Sequence, residues 1–201
     1  MTARFVVLEG GDGSGKSTQR DALVTRLRDR GHEVVATAEP GGTPLGTAVR
    51  RLLLDGEAID PRAEALLMAA DRAEHVAAVI RPALARGAWV VSDRHVPSSL
   101  VYQGVVRGLG VEAVADLSSF ATAGTVPDLV VLLDVSDETA AARRSAEEDR
   151  MEREGDGFHA QVRAAYRDLA ARFGWTVIDA NGSVADVAAR ILTAVTAQLD
   201  P

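Results

Sequence analysis

Lys16 closes the run Gly10-Gly11-Asp12-Gly13-Ser14-Gly15-Lys16-Ser17, and it is the one lysine in a chain whose lysines and arginines number 22. The spacing G-x-x-x-x-G-K-[ST] is that of a loop built to hold phosphate. Glycines at 10, 13 and 15 let backbone N–H groups curl inward around anionic oxygens with no Cβ in the way. Lys16 then places a compact ammonium on the outer phosphates of a nucleoside triphosphate, and the Ser17 hydroxyl ligates the Mg²⁺ that travels with it. The helix expected from about Ser17 points the positive end of its dipole at the same anion. A glycine-rich surface turn with an accidental lysine is the bland alternative, and the flanks argue against it. Arg4-Phe5-Val6-Val7-Leu8 reads as a buried strand, and Leu23, Val24 and Leu27 recur at helical spacing until Gly31.

The elements that must position this loop follow from patterning. Strand-like apolar runs at 4–8, 33–37, 88–93, 129–135 and 175–180 alternate with helix-like stretches near 17–30, 44–55, 61–86, 97–107, 111–123, 136–147, 158–173 and 183–199. Such alternation predicts an α/β fold, a five-stranded parallel sheet covered by helices on both faces. Pro61 at a first turn and Gly87 past the end frame the third helix, with a kink or break expected at Pro82. At 201 residues, one domain over 1–201 is expected. A hydrophobic share of 47% with 25% charged residues is that of a globular protein. A net charge of −7 argues against a nonspecific nucleic-acid or membrane-surface binder and favours small anionic substrates. With no cysteine there is no disulfide framework or thiolate metal site. The N-terminus shows no secretion signal and no apolar run approaches the roughly 20 residues that span a bilayer, so the cytoplasm is the expected compartment.

Ligands of open α/β sheets collect at the carboxyl ends of the strands. Those ends carry Glu9 and the loop, then Glu39-Pro40-Gly41-Gly42-Thr43, then Asp93-Arg94-His95, then Asp134. Asp93 is expected beside Ser17 in the metal shell, and Arg94 to grip a phosphate bidentately. A surface ion pair at a strand end is the alternative. The charged stretch from Arg143 to Gly157 reads either as a solvated helix face or as a lid, about 143–157, that brings arginines over a phosphoryl group.

Taken together, these segments resemble the thymidylate kinase family over nearly the whole chain. Four motifs carry the resemblance in family order: Phe5-Val6-Val7-Leu8-Glu9-Gly10-Gly11-Asp12-Gly13-Ser14-Gly15-Lys16-Ser17-Thr18; Glu39-Pro40-Gly41-Gly42-Thr43-Pro44-Leu45-Gly46; Asp71-Arg72-Ala73-Glu74-His75; and Ser92-Asp93-Arg94 leading to Ser98-Ser99-Leu100-Val101-Tyr102-Gln103-Gly104. The resemblance implies transfer of the γ-phosphoryl group of ATP, with Mg²⁺, to thymidine monophosphate, and a homodimer. By the same carry-over Arg94, and Arg50 as a second candidate, hold the acceptor phosphate. Glu39 belongs to the acceptor site through its motif. Asp12 contacts the acceptor's sugar hydroxyl and helps hold its phosphate, or else only rigidifies the loop. Arg72, Ser99 and Gln103 read the base, Tyr102 crowds the sugar 2′ position, and Arg143 and Arg150 match the lid arginines, with Asp149 and Glu152 beside Arg150. Since Asp12, Gly13 and Ser14 include no arginine, a catalytic arginine has to arrive from outside the loop.

The chain departs from the family pattern at Met68, where a phenylalanine usually stacks on thymine, at Ala38 in place of an arginine, and at His95 in place of a tyrosine. Met68 lies four residues before Arg72, on the same helix face, where a thioether packs less rigidly than a ring, or simply fills the core within Leu66-Leu67-Met68. His32, His75, His95 and His159 take structural readings, none standing in metal-ligand spacing. A guanine-nucleotide switch usually reads guanine through Asn-Lys-x-Asp, which a chain with no second lysine cannot contain. The nearer rival is a kinase for another nucleoside monophosphate, which Met68 keeps open.

Overall fold

The computed structural model describes residues 2–55, 57–143 and 156–199. Five strands, β1 (Phe5–Glu9), β2 (Val34–Ala38), β3 (Trp89–Asp93), β4 (Leu129–Asp134) and β5 (Thr176–Asp179), form one sheet in the order β2-β3-β1-β4-β5. Every pairing is parallel. The central strand β1 is buried along its length, and its alternation divides the core. Val6 and Leu8 pack with Leu23 and Leu27 of α1 (Lys16–Asp29) and with Ile191 and Val195 of α9 (Val184–Leu199). Phe5 and Val7 face the other way, against Val76, Ile80 and Ala83. Leu132 of β4 meets Tyr166 and Leu169 of α8 (Asp156–Phe173) on a third cluster. Each fully buried side chain of this size contributes about 1.5–3 kcal/mol. Helices therefore cover both faces, as the alternation of the sequence requires.

Side chains cap the helices that follow Thr43 and Asp60. In α2 (Pro44–Leu54) Pro44 takes the first turn and the Thr43 hydroxyl accepts from the Gly46 N–H at 2.9 Å. In α3 (Pro61–His75) the Asp60 carboxylate accepts from the Arg62 N–H at 2.8 Å. The helix expected over 61–86 is interrupted, though before Pro82 and not at it. A π-helical turn, Val76–Ile80, follows α3 and leads into α4 (Arg81–Ala85), with the Arg81 N–H bonding back five residues to the Val76 carbonyl. The widened turn lets Pro82, which has no N–H and whose ring crowds the turn before it, enter near the start of a fresh helix. The stretch expected as a helix over 97–107 is likewise a short α5 (Val96–Ser99) running into a π-helical segment, Leu100–Val106. Helix α6 (Val111–Thr122) and helix α7 (Asp137–Arg143) complete the described set. The proposed lid lies almost wholly outside the described residues, as do Arg150, Asp149 and Glu152. Among the described residues no helix is long and apolar enough to cross a membrane.

Candidate active site

The turn after β1 takes conformations that require glycine. Gly13 has φ 80°, and a Cβ there would run into the Ala140 carbonyl of α7, so the loop and α7 lie in direct contact. Helix α1 begins at Lys16 with Gly15 ahead of it and no side-chain cap, which leaves its first N–H groups for an anion. The Lys16 ammonium folds back onto the Gly11 carbonyl at 2.9 Å. Burial, with Arg94 nearby, holds its pKa below the usual lysine range, and an arriving phosphate offsets that cost. The pairing of Leu8 with Asp93 sets the end of β3 beside the loop. There the Ser17 hydroxyl donates to the Asp93 carboxylate at 2.5 Å.

Arg94, the next residue, has φ 69°, a left-handed backbone outside glycine. That turn sends its guanidinium across the cleft to Asp12, at 2.5 Å through Nη2. Its Nη1 donates to Ser98 Oγ and Tyr166 OH, each at 3.1 Å, and lies 3.3 Å from the Gly10 carbonyl. Beneath this clamp is Glu9, fully buried, whose carboxylate accepts from the His95 and Ser98 N–H groups, the Ser98 hydroxyl at 2.7 Å and the Tyr166 hydroxyl at 2.9 Å. Burial raises the Glu9 pKa and the Tyr166 pKa above their ordinary values. Burial also works against ionised Asp12, yet Arg94 and then Lys16 outweigh it, and the Asp12 pKa is lowered. Tyr102 lies under the Arg94 guanidinium, 5.3 Å from ring centroid to Cζ, and its hydroxyl points at Asp12 from 3.4 Å.

A second network lies one layer deeper. Glu39 accepts from Arg72 Nε at 2.9 Å and pairs with His75 Nδ1 at 2.8 Å, while His75 Nε2 meets the Thr37 hydroxyl at 2.6 Å. Burial opposes the Glu39 charge, but His95, Arg72 and His75 bring its pKa down to about 2. His95 is itself fully buried, edge-on to Phe5, and burial lowers its pKa to about 4. The structural readings of His75 and His95 agree with this burial. Among the described residues no group of three His, Asp or Glu side chains is arranged to hold a metal by itself.

These elements enclose a cavity of about 720 Å³ at the carboxyl end of the sheet. It brings together, along its walls, Asp12 to Thr18, Glu39, Arg50, Met68, Asp93, Arg94, Tyr102, Gln103 and Arg143. Gly10 and Gly11 are buried and are not part of its lining. Arg72, only 1% exposed, and Ser99 stand behind the wall, bonded to each other at 3.0 Å. A direct contact between Arg72 and a ligand therefore requires it to surrender one of its partners. Met68 packs with Val49 and Leu53 and also lines the cavity. Arg50 is tied to the Pro40 carbonyl at 3.2 Å, and Arg143 to the carbonyls of Ala180 and Gly182 at 3.1 and 3.0 Å.

Several residues of this site were not read from the sequence. Tyr166 and the side chain of Arg20, which lines the cavity, carried no local signal. Glu64 did carry one. It precedes Met68 by the same four residues that separate Met68 from Arg72, so all three share one face of α3.

The family model for thymidylate kinase matches residues 8–191. The chain belongs to the thymidylate kinase family. A thymidylate kinase of Rhizorhabdus wittichii is 47% identical over 203 residues, covering 97% of this chain and 98% of that protein. One from Leifsonia xyli is 51% identical over 194 residues, 93% of this chain and 91% of its own length. Another from a Synechococcus is 48% identical over 197 residues, 97% and 95% respectively. Within a thymidylate kinase the departures at 38, 68 and 95 now have places. Ala38 and Met68 line the cavity, whereas His95 is sealed beneath it.

Proposed function

We propose that this protein transfers the γ-phosphoryl group of ATP to thymidine monophosphate, giving ADP and thymidine diphosphate. The observation that carries the reading is the shared cavity, in which the phosphate loop and the Arg94–Asp12 clamp face one volume. Membership of the thymidylate kinase family supports the substrate.

The loop N–H groups and the start of α1 cradle the triphosphate, with Lys16 on its outer phosphates. Arg94, held from several sides, meets the acceptor phosphate without having to be ordered first, and positioning of this kind is most of what phosphoryl transfer demands. The Arg94 fork and the sugar-facing Asp12 hold the acceptor in line, with Arg50 at the rim and Glu39 anchoring the floor. Tyr102 walls off the sugar 2′ position. Met68 and Gln103 face the base, braced from behind by Arg72 and Ser99. Ser17 and Asp93 offer two hard oxygen donors at the end of the loop, a set that suits Mg²⁺ with the nucleotide's phosphates completing the shell. An ion held there would supply positive charge against the phosphates of the nucleotide. Arg143, and Arg150 outside the described residues, supply the cation the loop lacks as charge builds on the transferring group.

The reading implies work in the cytoplasm, where ATP and nucleoside monophosphates are made. It also includes a homodimer. Helix α3 packs against both α2 and α6, and this group of helices leaves Leu52, Leu66 and Phe120 at 57%, 59% and 87% exposure, large apolar groups that a second copy would cover. The decisive assay is ADP release with Mg²⁺ and ATP across a panel of monophosphates. Thymidine monophosphate is expected to lead, and equal rates with purine and pyrimidine acceptors would reject the substrate while leaving a kinase.

A further inference from the structure

The side-chain amide of Gln103 is held at one end only. Its Nε2 donates to Glu64 Oε1 at 2.8 Å, and the same oxygen lies 3.5 Å from Arg107 Nε. Both side chains are deeply buried, Gln103 at 3% and Glu64 at 1% exposure, and both line the cavity beside Met68. The other end of the amide, Oε1, is buried and has no hydrogen-bond partner among the described residues. An amide's two ends look alike, so their assignment follows from the network. Here the network decides it, because a carboxylate paired with an arginine accepts and does not donate. Glu64 therefore fixes Gln103 with its N–H₂ turned away and its carbonyl left over.

We infer that Glu64 is a positioning residue that selects the hydrogen-bonding edge of the acceptor base: by holding the Gln103 amide in one orientation, it reserves a buried carbonyl for a ring N–H. The inference rests on the reading that the acceptor base sits against α3. An orphaned buried acceptor is costly until a donor reaches it. A base with an imide N–H between two carbonyls, such as thymine or uracil, brings that donor. Cytosine and adenine have a lone pair on the corresponding ring nitrogen and set acceptor against acceptor. A site built around a buried polar group rejects the mismatched partner far more strongly than an apolar pocket does. This discrimination does not depend on what stacks above the base, so it persists with Met68 at position 68.

The test compares thymidine monophosphate with deoxycytidine monophosphate, which share sugar and phosphate, on the full-length wild-type, Glu64→Gln and Glu64→Asp proteins. In Glu64→Gln the new amide donates as well as accepts, so Gln103 turns over freely. The ratio of kcat/KM for the two substrates should narrow at least about 10-fold, through KM for the thymidine nucleotide, with KM for ATP unmoved. Glu64→Asp keeps an acceptor-only carboxylate and should retain most of the preference, a rescue that a mere loss of packing would not produce. In a Gln103→Ala background Glu64→Gln should leave the ratio where Gln103→Ala put it. An unchanged ratio in Glu64→Gln, an equal fall for both substrates, or a further effect without Gln103 overturns the inference. Failure of the wild-type protein to phosphorylate thymidine monophosphate would instead overturn the functional reading beneath it.

Discussion

Arg94 is clamped before any anion arrives. Its guanidinium is shared among Asp12, Ser98, Tyr166 and Gly10, and its backbone turns left-handed to reach them. The planar fork makes several of these contacts at once, which a single ammonium cannot do. Replacing Arg94 by Lys should therefore lower kcat/KM for the acceptor nucleotide about 10- to 100-fold, the worth of one or more charge-assisted bonds, while the Kd for ATP stays within about 3-fold. Steady-state kinetics beside ATP titration separates the two, and equal losses in both would remove Arg94 from the acceptor site. The Asp-Arg pair was legible in the sequence because a strand end beside a phosphate loop is a place where charge collects. Its partner Tyr166 was not, since 72 residues separate the two and no spacing rule reaches that far.

At the scale of elements, α3 shows how much one helical face carries. Glu64, Met68 and Arg72 repeat every four residues, so one stripe touches Gln103, the cavity and the Glu39 network. The π-helical turn after α3 and the one at Leu100–Val106 were expected as plain helix, because hydrophobic periodicity does not distinguish a widened turn from a regular one. Helices α7 and α8 flank the segment carrying Arg150 and are joined by an ion pair between Asp137 and Arg163 at 2.5 Å. Arg143 ends α7 within the cavity but rests on the carbonyls after β5, so its work on a phosphoryl group requires it to leave them. Arg143→Ala and Arg150→Ala should each be tested for turnover and ATP affinity. At least one should lose about 10³-fold in kcat with little change in ATP binding, and full turnover in both would discard the lid assignment.

For the whole molecule, buried titratable groups tie stability to pH. Asp71 is fully buried, and burial, then Glu39, raises its pKa from 3.8 to about 6. The folded form thus holds a proton that the unfolded form has released, so this group's penalty is absent below pH 3.8 and complete above about 6. Asp71→Asn removes the penalty, and its stability relative to wild type should improve by roughly 1–3 kcal/mol between pH 3.5 and pH 8. Denaturant melts at the two pH values measure it, and a pH-independent difference would contradict the sign. His95 acts the other way, with its pKa down to about 4, so its neutral folded form loses stability as pH falls from 6.5 towards 4. The exposed Leu66 and Phe120 belong to this scale as well. Light scattering should show the wild type as a dimer and the Leu66→Asp/Phe120→Asp double variant as a folded monomer. A wild-type monomer would refute that interface.

The residues alone determined the phosphate loop, the five alternating units and the strand-end carboxylates and arginine, because each depends on φ preferences, hydrophobic period or spacing within about a dozen neighbours. Strand order β2-β3-β1-β4-β5, the Arg94 clamp and the Glu64–Gln103 bond, whose members lie 39 residues apart, were decided only by the folded chain. Such pairings arise when distant faces are buried against one another, and no local pattern records which faces will meet.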